Sequence, residues 1–300
     1  MNWKNVLLIG AVILLPISMM AQANILNAKK PEEVGKKTDA QIEMDNDAPL
    51  EYGYVDDRDI LWSKTVWEVI DLDERVNFPL YYPIDTVDIG SDRRSLYDVL
   101  IKNIKNGKIK DIYVDSYFTE KRDFSDLSAT LQKIDTTDYG YEQLNAGEQV
   151  SPEYINKRDL TAADLEEYLI KGIWYFDKRQ GELKYRLLGI APRAPDVNFI
   201  DDENMDQEEN KVALFWIWYP SARQVLHKAK VFNQRNTAQP ISFDMLLNAR
   251  RFEATIYKED NVYGDREIKD YISDNSLFQL LESKRIKETI RDREQDMWSY

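Results

Sequence analysis

The stretch IWYFDKRQGELKYRLLGI, residues 173–190, decides the fold of this chain. It opens with β-branched and aromatic residues, which are typical of a strand. Arg179-Gln180-Gly181 then supplies a turn, and residues 183–190 are apolar enough to return as a second strand. We therefore expect an antiparallel hairpin that Pro192 and Pro195 bring to an end.

Helices are predicted on both sides of this hairpin, over residues 96–105, 162–171, 243–249 and 277–293. Ser95 and Thr161 are placed to cap the first two, and Asn106-Gly107 is placed to end the first. The last helix is amphipathic. Its period predicts a buried face made of Leu280, Leu281, Ile286 and Ile290.

The remaining predicted strands are 112–114 with 117–118, 212–219 and 252–257. The aromatic run 78–83 lies between two prolines, which predicts an extended path. Residues 123–152 are expected to be a long connection with one short helix. This irregular mixture predicts an α+β fold of helices and antiparallel strands, in preference to a doubly wound one.

The chain also contains a faint internal echo. Ser95–Leu100 followed by Ile112-Tyr113 resembles Ser242–Leu247 followed by Ile256-Tyr257, and each copy follows an aromatic segment that ends in Tyr-Pro. Two related halves are one interpretation. Chance recurrence of a short helix–strand unit is the other.

The N-terminus has the three parts of a secretory signal peptide. Lys4 precedes an apolar block over residues 6–17, and Ala21-Gln22-Ala23 is a small-x-small cleavage pattern. An uncleaved anchor would need about 20 apolar residues, and this block is shorter. A lipoprotein would need a cysteine after the block, and the chain has none. We expect residues 1–23 to be removed on export.

Two further regions follow the predicted signal peptide. Residues 24–59 are polar, are broken by prolines and glycines, and are predicted to be a flexible arm or linker. The composition of the sequence changes at Ile60, where a dense apolar and aromatic segment begins. We expect residues 60–300 to form the α+β domain.

Composition narrows the range of functions. The formal net charge of −14 repels nucleic acid, so no nucleic-acid partner is expected. The absence of cysteine excludes thiol catalysis, and the single histidine argues against a zinc site. No glycine-rich phosphate loop is present, and no cofactor is predicted.

A search for catalytic groups gives no set of residues with the expected spacing. His227 lacks the Gly-x-Ser-x-Gly partner of a serine hydrolase. Asp202, Asn204 and Asp206 have the spacing of a calcium loop, but the next required position holds Gln207, so a solvated acidic loop is favoured. Paired carboxylates for glycoside cleavage stay open because their separation in space is not visible in the sequence.

Aromatic residues are the best candidates for contact with a partner, since they are favoured at the centres of interfaces as well as in cores. The candidate interface residues are Trp62, Trp67, Tyr81, Tyr82, Trp174, Trp216 and Trp218. Trp216 and Trp218 occupy alternate positions of a predicted strand, so they share one face.

Several blocks in fixed order resemble the GldN/PorN family of the Bacteroidetes gliding-motility and type IX secretion apparatus. The blocks are Trp67–Leu72, Asn77–Pro83, Trp174–Asp177, Leu187–Pro192, Leu214–Pro220, Ala222–Leu226, Val231–Asn233, Ser242–Asp244, Arg250–Phe252 and Asn261–Tyr263. Each block alone is weak, but their shared order from Ile60 onward is specific.

The resemblance implies a periplasmic, non-enzymatic structural subunit. Such proteins assemble with a K-type outer-membrane lipoprotein (GldK/PorK-like), self-associate in a ring, and contact the periplasmic part of the M-type motor protein. It implies peripheral association with the outer membrane through that partner. A periplasmic carbohydrate-binding or glycan-processing protein is the alternative, suggested by aromatic residues together with carboxylates.

Overall fold

The structure is a computed structural model that describes residues 30, 43–44, 47–85, 87, 93–200, 210–233, 236, 241–273 and 275–298. The predicted signal peptide, most of the predicted arm and the acidic loop 201–209 lie outside these residues. The elements below belong to the compact unit Pro49–Tyr300. Among the described residues, no helix has both the length and the apolar character needed to cross a membrane.

The strands of the described residues are β1 (Ile60–Asp71), β2 (Ile112–Tyr113), β3 (Gln132–Thr136), β4 (Ile155–Asp159), β5 (Glu167–Asp177), β6 (Glu182–Pro195), β7 (Lys211–Ala213), β8 (Trp216–Trp218), β9 (Lys230–Val231), β10 (Ile241–Ser242) and β11 (Thr255–Glu259). The helices are α1 (Phe78–Tyr81), α2 (Leu96–Lys105), α3 (Phe124–Leu131), α4 (Asp138–Asn145), α5 (Tyr219–Lys228), α6 (Phe243–Asn248), α7 (Ile268–Tyr271) and α8 (Ser276–Trp298). The predicted α+β class is confirmed.

One antiparallel sheet organises the chain, with the strand order β11-β1-β5-β6-β8-β2 and with β7 also paired to β6. The predicted hairpin is its centre and is longer than expected, since β5 and β6 pair from Asp177 and Glu182 to Glu167 and Arg193. Pro192 does not end β6. Its carbonyl accepts from the amide of Leu214, which lies between β7 and β8, so the pairing continues past a residue that has no amide donor.

Two glycines let aromatic rings lie close on the hairpin. A Cβ atom on Gly172 would lie 2.1 Å from the hydroxyl of Tyr185, and one on Gly189 would lie 2.5 Å from the ring of Phe118. The register shifts between Lys171 and Gly172. The glycines therefore provide space that any other residue would fill.

The topology is compatible with the interpretation of two related halves. β2, which follows the first helix of the echo, and β11, which follows the second, are the two edge strands of the sheet. Ser95 and Ser242 each accept from the amide three residues on, which caps α2 and α6. Each helix is followed by a residue of positive φ, Gly107 at 66° and Arg250 at 48°. The helix–strand echo thus lies at opposite edges of one sheet.

The two faces of the sheet are covered differently. Helices α2, α3, α5 and α6 pack with Ile70, Ile170 and Ile190 in the main core. A second core cluster joins α8 to Val66 through Ile286. Because side chains alternate along a strand, Trp67, Leu169, Ala191 and Trp216 form a separate cluster on the opposite face.

The predicted buried face of α8 is half wrong. Ile286 and Ile290 are buried, as expected, but Leu280 and Leu281 are 54% and 50% exposed. Only one stripe of the helix reaches β11, and it continues through Ser283, whose hydroxyl accepts from the Ile256 amide.

Other local predictions also failed. Residues 78–81 form helix α1 because Pro79 lies in the first turn, where no amide donor is needed. Thr161 forms the predicted cap, in a capping box with Asp164. The predicted helix 162–171 is wrong, because the cap begins a single 3₁₀ turn that leads into β5. The predicted strand 212–219 is divided into β7 and β8, with helix α5 starting at Tyr219. Residues 123–152 hold two helices and a strand.

Candidate aromatic–lysine interface

A row of residues crosses five strands on the face of the sheet opposite the main core. Trp67 is paired with Lys258 on β11 and with Lys171 on β5. Lys171 is paired with Gly189 on β6, which is paired with Trp218 on β8. Cross-strand partners share a face, so these five residues lie side by side. We call them the aromatic–lysine row.

The loop after β2 folds over this row. The Tyr117 ring lies 5.8 Å from the Trp67 ring, and the Phe118 ring lies 4.9 Å from that of Trp218. Phe118 has a φ of 61°. Asp115 stabilises the turn by accepting hydrogen bonds from Thr119 and from the loop amides. Burial alone would raise the pKa of Asp115, but these hydrogen bonds outweigh burial and lower it.

Both lysines of the row stack on aromatic rings. The Lys171 Nζ lies 4.8 Å from the ring centres of Trp67 and Tyr117, and 5.3 Å from that of Phe118. The Lys258 Nζ lies 4.7 Å and 4.9 Å from the rings of Trp67 and Tyr117. Such contacts contribute about 0.5–2 kcal/mol each. They explain how two like charges remain on one patch.

The polar contacts of the lysines lead to the loop. Lys171 Nζ donates to the Ser116 carbonyl at 2.8 Å, and Lys258 Nζ donates to the Tyr117 hydroxyl at 2.9 Å. That hydroxyl donates to Asp265 at 3.0 Å. Burial, and then the charge of Lys258, lower the pKa of Lys171. The Lys171 ammonium group therefore carries an electrostatic cost.

Three of the candidate interface tryptophans meet here. Trp67 and Trp216 are only 2% and 4% exposed, so they support the face from beneath. Trp218 is half-buried against Phe118. The accessible part of the site is carried by Tyr117, which is 47% exposed.

Trp62 and Trp174 lie on the other face, beside α8. Trp174 packs on Tyr185 at 5.0 Å between ring centres. The Arg250 guanidinium lies 4.2 Å from the Tyr185 ring and donates two hydrogen bonds of 2.8 Å to Glu68. Glu68 is 1% exposed, so this is a buried ion pair beneath the half-buried tryptophans.

Tyr81 and Tyr82 form a third location, at the end of α1. Their ring centres are 4.9 Å apart, and Phe78 packs on Tyr82 at 5.4 Å. Tyr82 is 49% exposed. The seven candidate residues therefore occupy three separate places, and their role in binding a partner stays a prediction.

Sequence reasoning missed the lysines and the loop. The one available signal was the position of each lysine in an apolar segment. Lys171 interrupts the apolar strand β5, and Lys258 follows the apolar pair Ile256-Tyr257. It also missed an exposed apolar patch at the start of α8. The members of this patch are Leu277, Phe278, Leu280 and Leu281, each at least 50% exposed.

A buried polar network holds part of the predicted arm against the domain. Arg223 donates two hydrogen bonds to Asp244, at 2.9 and 3.1 Å. The Tyr52 hydroxyl donates to Asn248 at 2.8 Å, and its ring lies 4.1 Å from the Arg223 guanidinium. Tyr52 therefore contacts the domain, although it falls within the region predicted as arm.

Side chains that could bind a metal ion are dispersed in the described part of the chain. That part contains no group of three or more His, Asp or Glu side chains placed to hold a metal ion. His227 lies half-buried in the last turn of α5. The geometry instead brings together aromatic rings, ammonium groups and exposed apolar side chains.

Comparison with protein families identifies the class of protein. The chain is of a class associated with gliding motility and type IX secretion. It belongs to the GldN family, described as gliding motility associated protein GldN, whose model matches residues 55–299. The match includes every strand of the main sheet. A search of curated proteins gives no match.

Proposed function

We propose that this protein is a structural subunit of the periplasmic ring of the type IX secretion and gliding machinery. In this proposal it self-associates, assembles with a GldK/PorK-like outer-membrane lipoprotein, and contacts the periplasmic part of the M-type motor. Membership of the GldN family over residues 55–299 is the observation that carries the proposal.

Physical features of the surface support a role in assembly. The four large apolar residues that begin α8 are each at least half exposed. A contiguous exposed apolar patch is typical of a protein that binds another protein. The aromatic–lysine row and the loop that carries Tyr117 add a second surface, whose aromatic rings are of the residue type enriched at interface centres.

The proposed location follows from the N-terminal sequence. Residues 1–23 have the composition of a cleaved signal peptide, so the subunit is exported to the periplasm. Its attachment to the outer membrane is then supplied by the lipoprotein partner.

Fractionation tests this proposal. A tagged chain expressed at its native level should sediment with the envelope and elute as a large complex that contains the lipoprotein. Deleting the lipoprotein gene should release the chain. A monomer that stays free in the periplasm and binds or cleaves glycans would contradict the proposal and support the carbohydrate alternative.

The predicted arm can be tested separately. Tyr52 contacts Asn248 and Arg223, so a deletion that reaches residue 59 would also remove a packing contact of the domain. A deletion of residues 24–48 spares it. If assembly survives that deletion, the deleted part is a spacer; if assembly is lost while the thermal midpoint of unfolding is unchanged, the deleted part binds a partner.

A further inference from the structure

The two lysines of the aromatic–lysine row lack an acidic partner at bonding distance. Within the described part of the chain, no carboxylate oxygen lies within 4.0 Å of either ammonium group. Lys258 is linked to an acid through the Tyr117 hydroxyl, which donates to Asp265, and Lys171 feels the charges of Asp265 and Asp115 only through space. Other lysines without an ion pair in that part of the chain, such as Lys102 and Lys284, are exposed, whereas Lys171 and Lys258 are half-buried.

Both ammonium groups also have unused donors. A lysine ammonium can donate three hydrogen bonds. Lys171 donates to the Ser116 carbonyl, and Lys258 donates to the Tyr117 hydroxyl. Both nitrogens lie within 5 Å of the Tyr117 ring and of the Trp67 ring, so the two positive charges flank the same pair of rings.

We propose that Lys171, Lys258 and Tyr117 bind a carboxylate side chain from an acidic segment of a partner protein. This inference rests on the proposed function, because it names the chemistry by which this surface of the subunit recognises its partner. The carboxylate lies between the two ammonium groups and converts their mutual repulsion into two charge-assisted hydrogen bonds.

The surroundings favour this ligand. Trp67 and Phe118 exclude water from one side of the ammonium groups, which strengthens an ion pair formed there. Lys171 and Lys258 are only partly buried, and the Tyr117 ring against which both lie is 47% exposed. The net charge of −14 repels acidic peptides from the rest of the surface. Binding of such a peptide is therefore expected at this pair of lysines.

A peptide titration of the full exported chain tests the site. The probes are a hexaglutamate peptide, a hexaglutamine peptide and inorganic phosphate, and the readout is the ¹⁵N signals of the lysine ammonium groups with a fitted Kd. We expect hexaglutamate to shift the signals of Lys171 and Lys258 and to bind at least about tenfold more tightly than hexaglutamine, a difference of about 1.4 kcal/mol.

Three variants make the test specific. Lys258→Met and Lys171→Met should each weaken hexaglutamate binding about tenfold, and Lys258→Arg should retain it because the charge is kept. The matched control is Lys269→Met, since Lys269 is 66% exposed and pairs on the surface with Glu267. Circular dichroism verifies that each variant folds. If Lys171→Met does not fold, the comparison of Lys258→Met with Lys258→Arg decides.

Three results would overturn the inference: equal binding of the two peptides, hexaglutamate affinity that neither methionine variant changes, or binding of phosphate without binding of hexaglutamate. The inference and the proposed function fail in different experiments. A wild-type chain that purifies in the envelope complex but ignores hexaglutamate refutes the site alone. A wild-type chain that binds hexaglutamate but remains monomeric in the cell refutes the ring proposal alone.

Discussion

Removing the guanidinium of Arg250 should leave a buried carboxylate without its counter-charge. Glu68 is 1% exposed, and both of its oxygens accept from Arg250 at 2.8 Å. Breaking a buried ion pair from one side costs about 3–5 kcal/mol. Because 23% of the Arg250 side chain reaches solvent, we expect Arg250→Met to lower the free energy of unfolding by about 3 kcal/mol, at the low end of that range.

Urea unfolding followed by circular dichroism measures this loss. The double variant Glu68→Leu/Arg250→Met should recover most of it, since no charge is then left in the interior. Arg285→Met is the matched control, because Arg285 pairs with Glu282 at 2.6 Å but is 59% exposed, and its loss should cost less than about 1 kcal/mol. The reasoning is refuted if Arg250→Met lowers the free energy of unfolding no more than the control does. It is also refuted if the loss in the double variant equals the sum of the losses in the Glu68→Leu and Arg250→Met single variants.

Three further experiments test packing and titration. Gly172→Ala should cost about 1–3 kcal/mol because its Cβ would meet the overlying tyrosine 2.1 Å away, whereas Gly53→Ala meets nothing and should cost less than about 0.5 kcal/mol, both by urea unfolding. Ile286→Ala should cost about 2–5 kcal/mol, and Leu281→Ala, at a half-exposed site, less than about 0.5 kcal/mol. Burial raises the pKa of Tyr52 from 10.0 to about 12, so the unfolded chain ionises first and stability present below pH 10 is lost as the pH rises through 12. Tyr52→Phe should therefore lessen the fall of the thermal midpoint over that range, and an unchanged profile would contradict this assignment.

Local patterns in the sequence predicted the elements whose signals are themselves local. The hairpin, the Ser95 cap, the exit at Gly107 and the final amphipathic helix depend on neighbouring residues, and all were found. The cap at Thr161 is an equally local signal and was also found. A cap marks only where a helix begins, so it did not show that this one ends after a single 3₁₀ turn. Residues 167–171 belong to β5 instead of a helix because both faces of the strand are covered there: Tyr168 and Ile170 pack in the main core, and Leu169 packs in the cluster on the opposite face.

The candidate site could be predicted only in part. The aromatic residues are visible in the sequence, but their division between core, sheet face and α1 depends on register. Lys258 and Lys171 are distant in sequence and meet only because both are paired with Trp67. The exposure of Leu280 and Leu281 likewise depends on which stripe of α8 meets β11, and helical periodicity alone does not decide that.

Imaging of the native assembly tests the central claim most directly. A tagged chain is purified from envelopes solubilised in detergent, and the complex is examined by electron microscopy with the lipoprotein identified by mass spectrometry. The account predicts ring-shaped particles that contain many copies of this chain together with the lipoprotein. Isolated monomers, or particles that lack the lipoprotein, would contradict it.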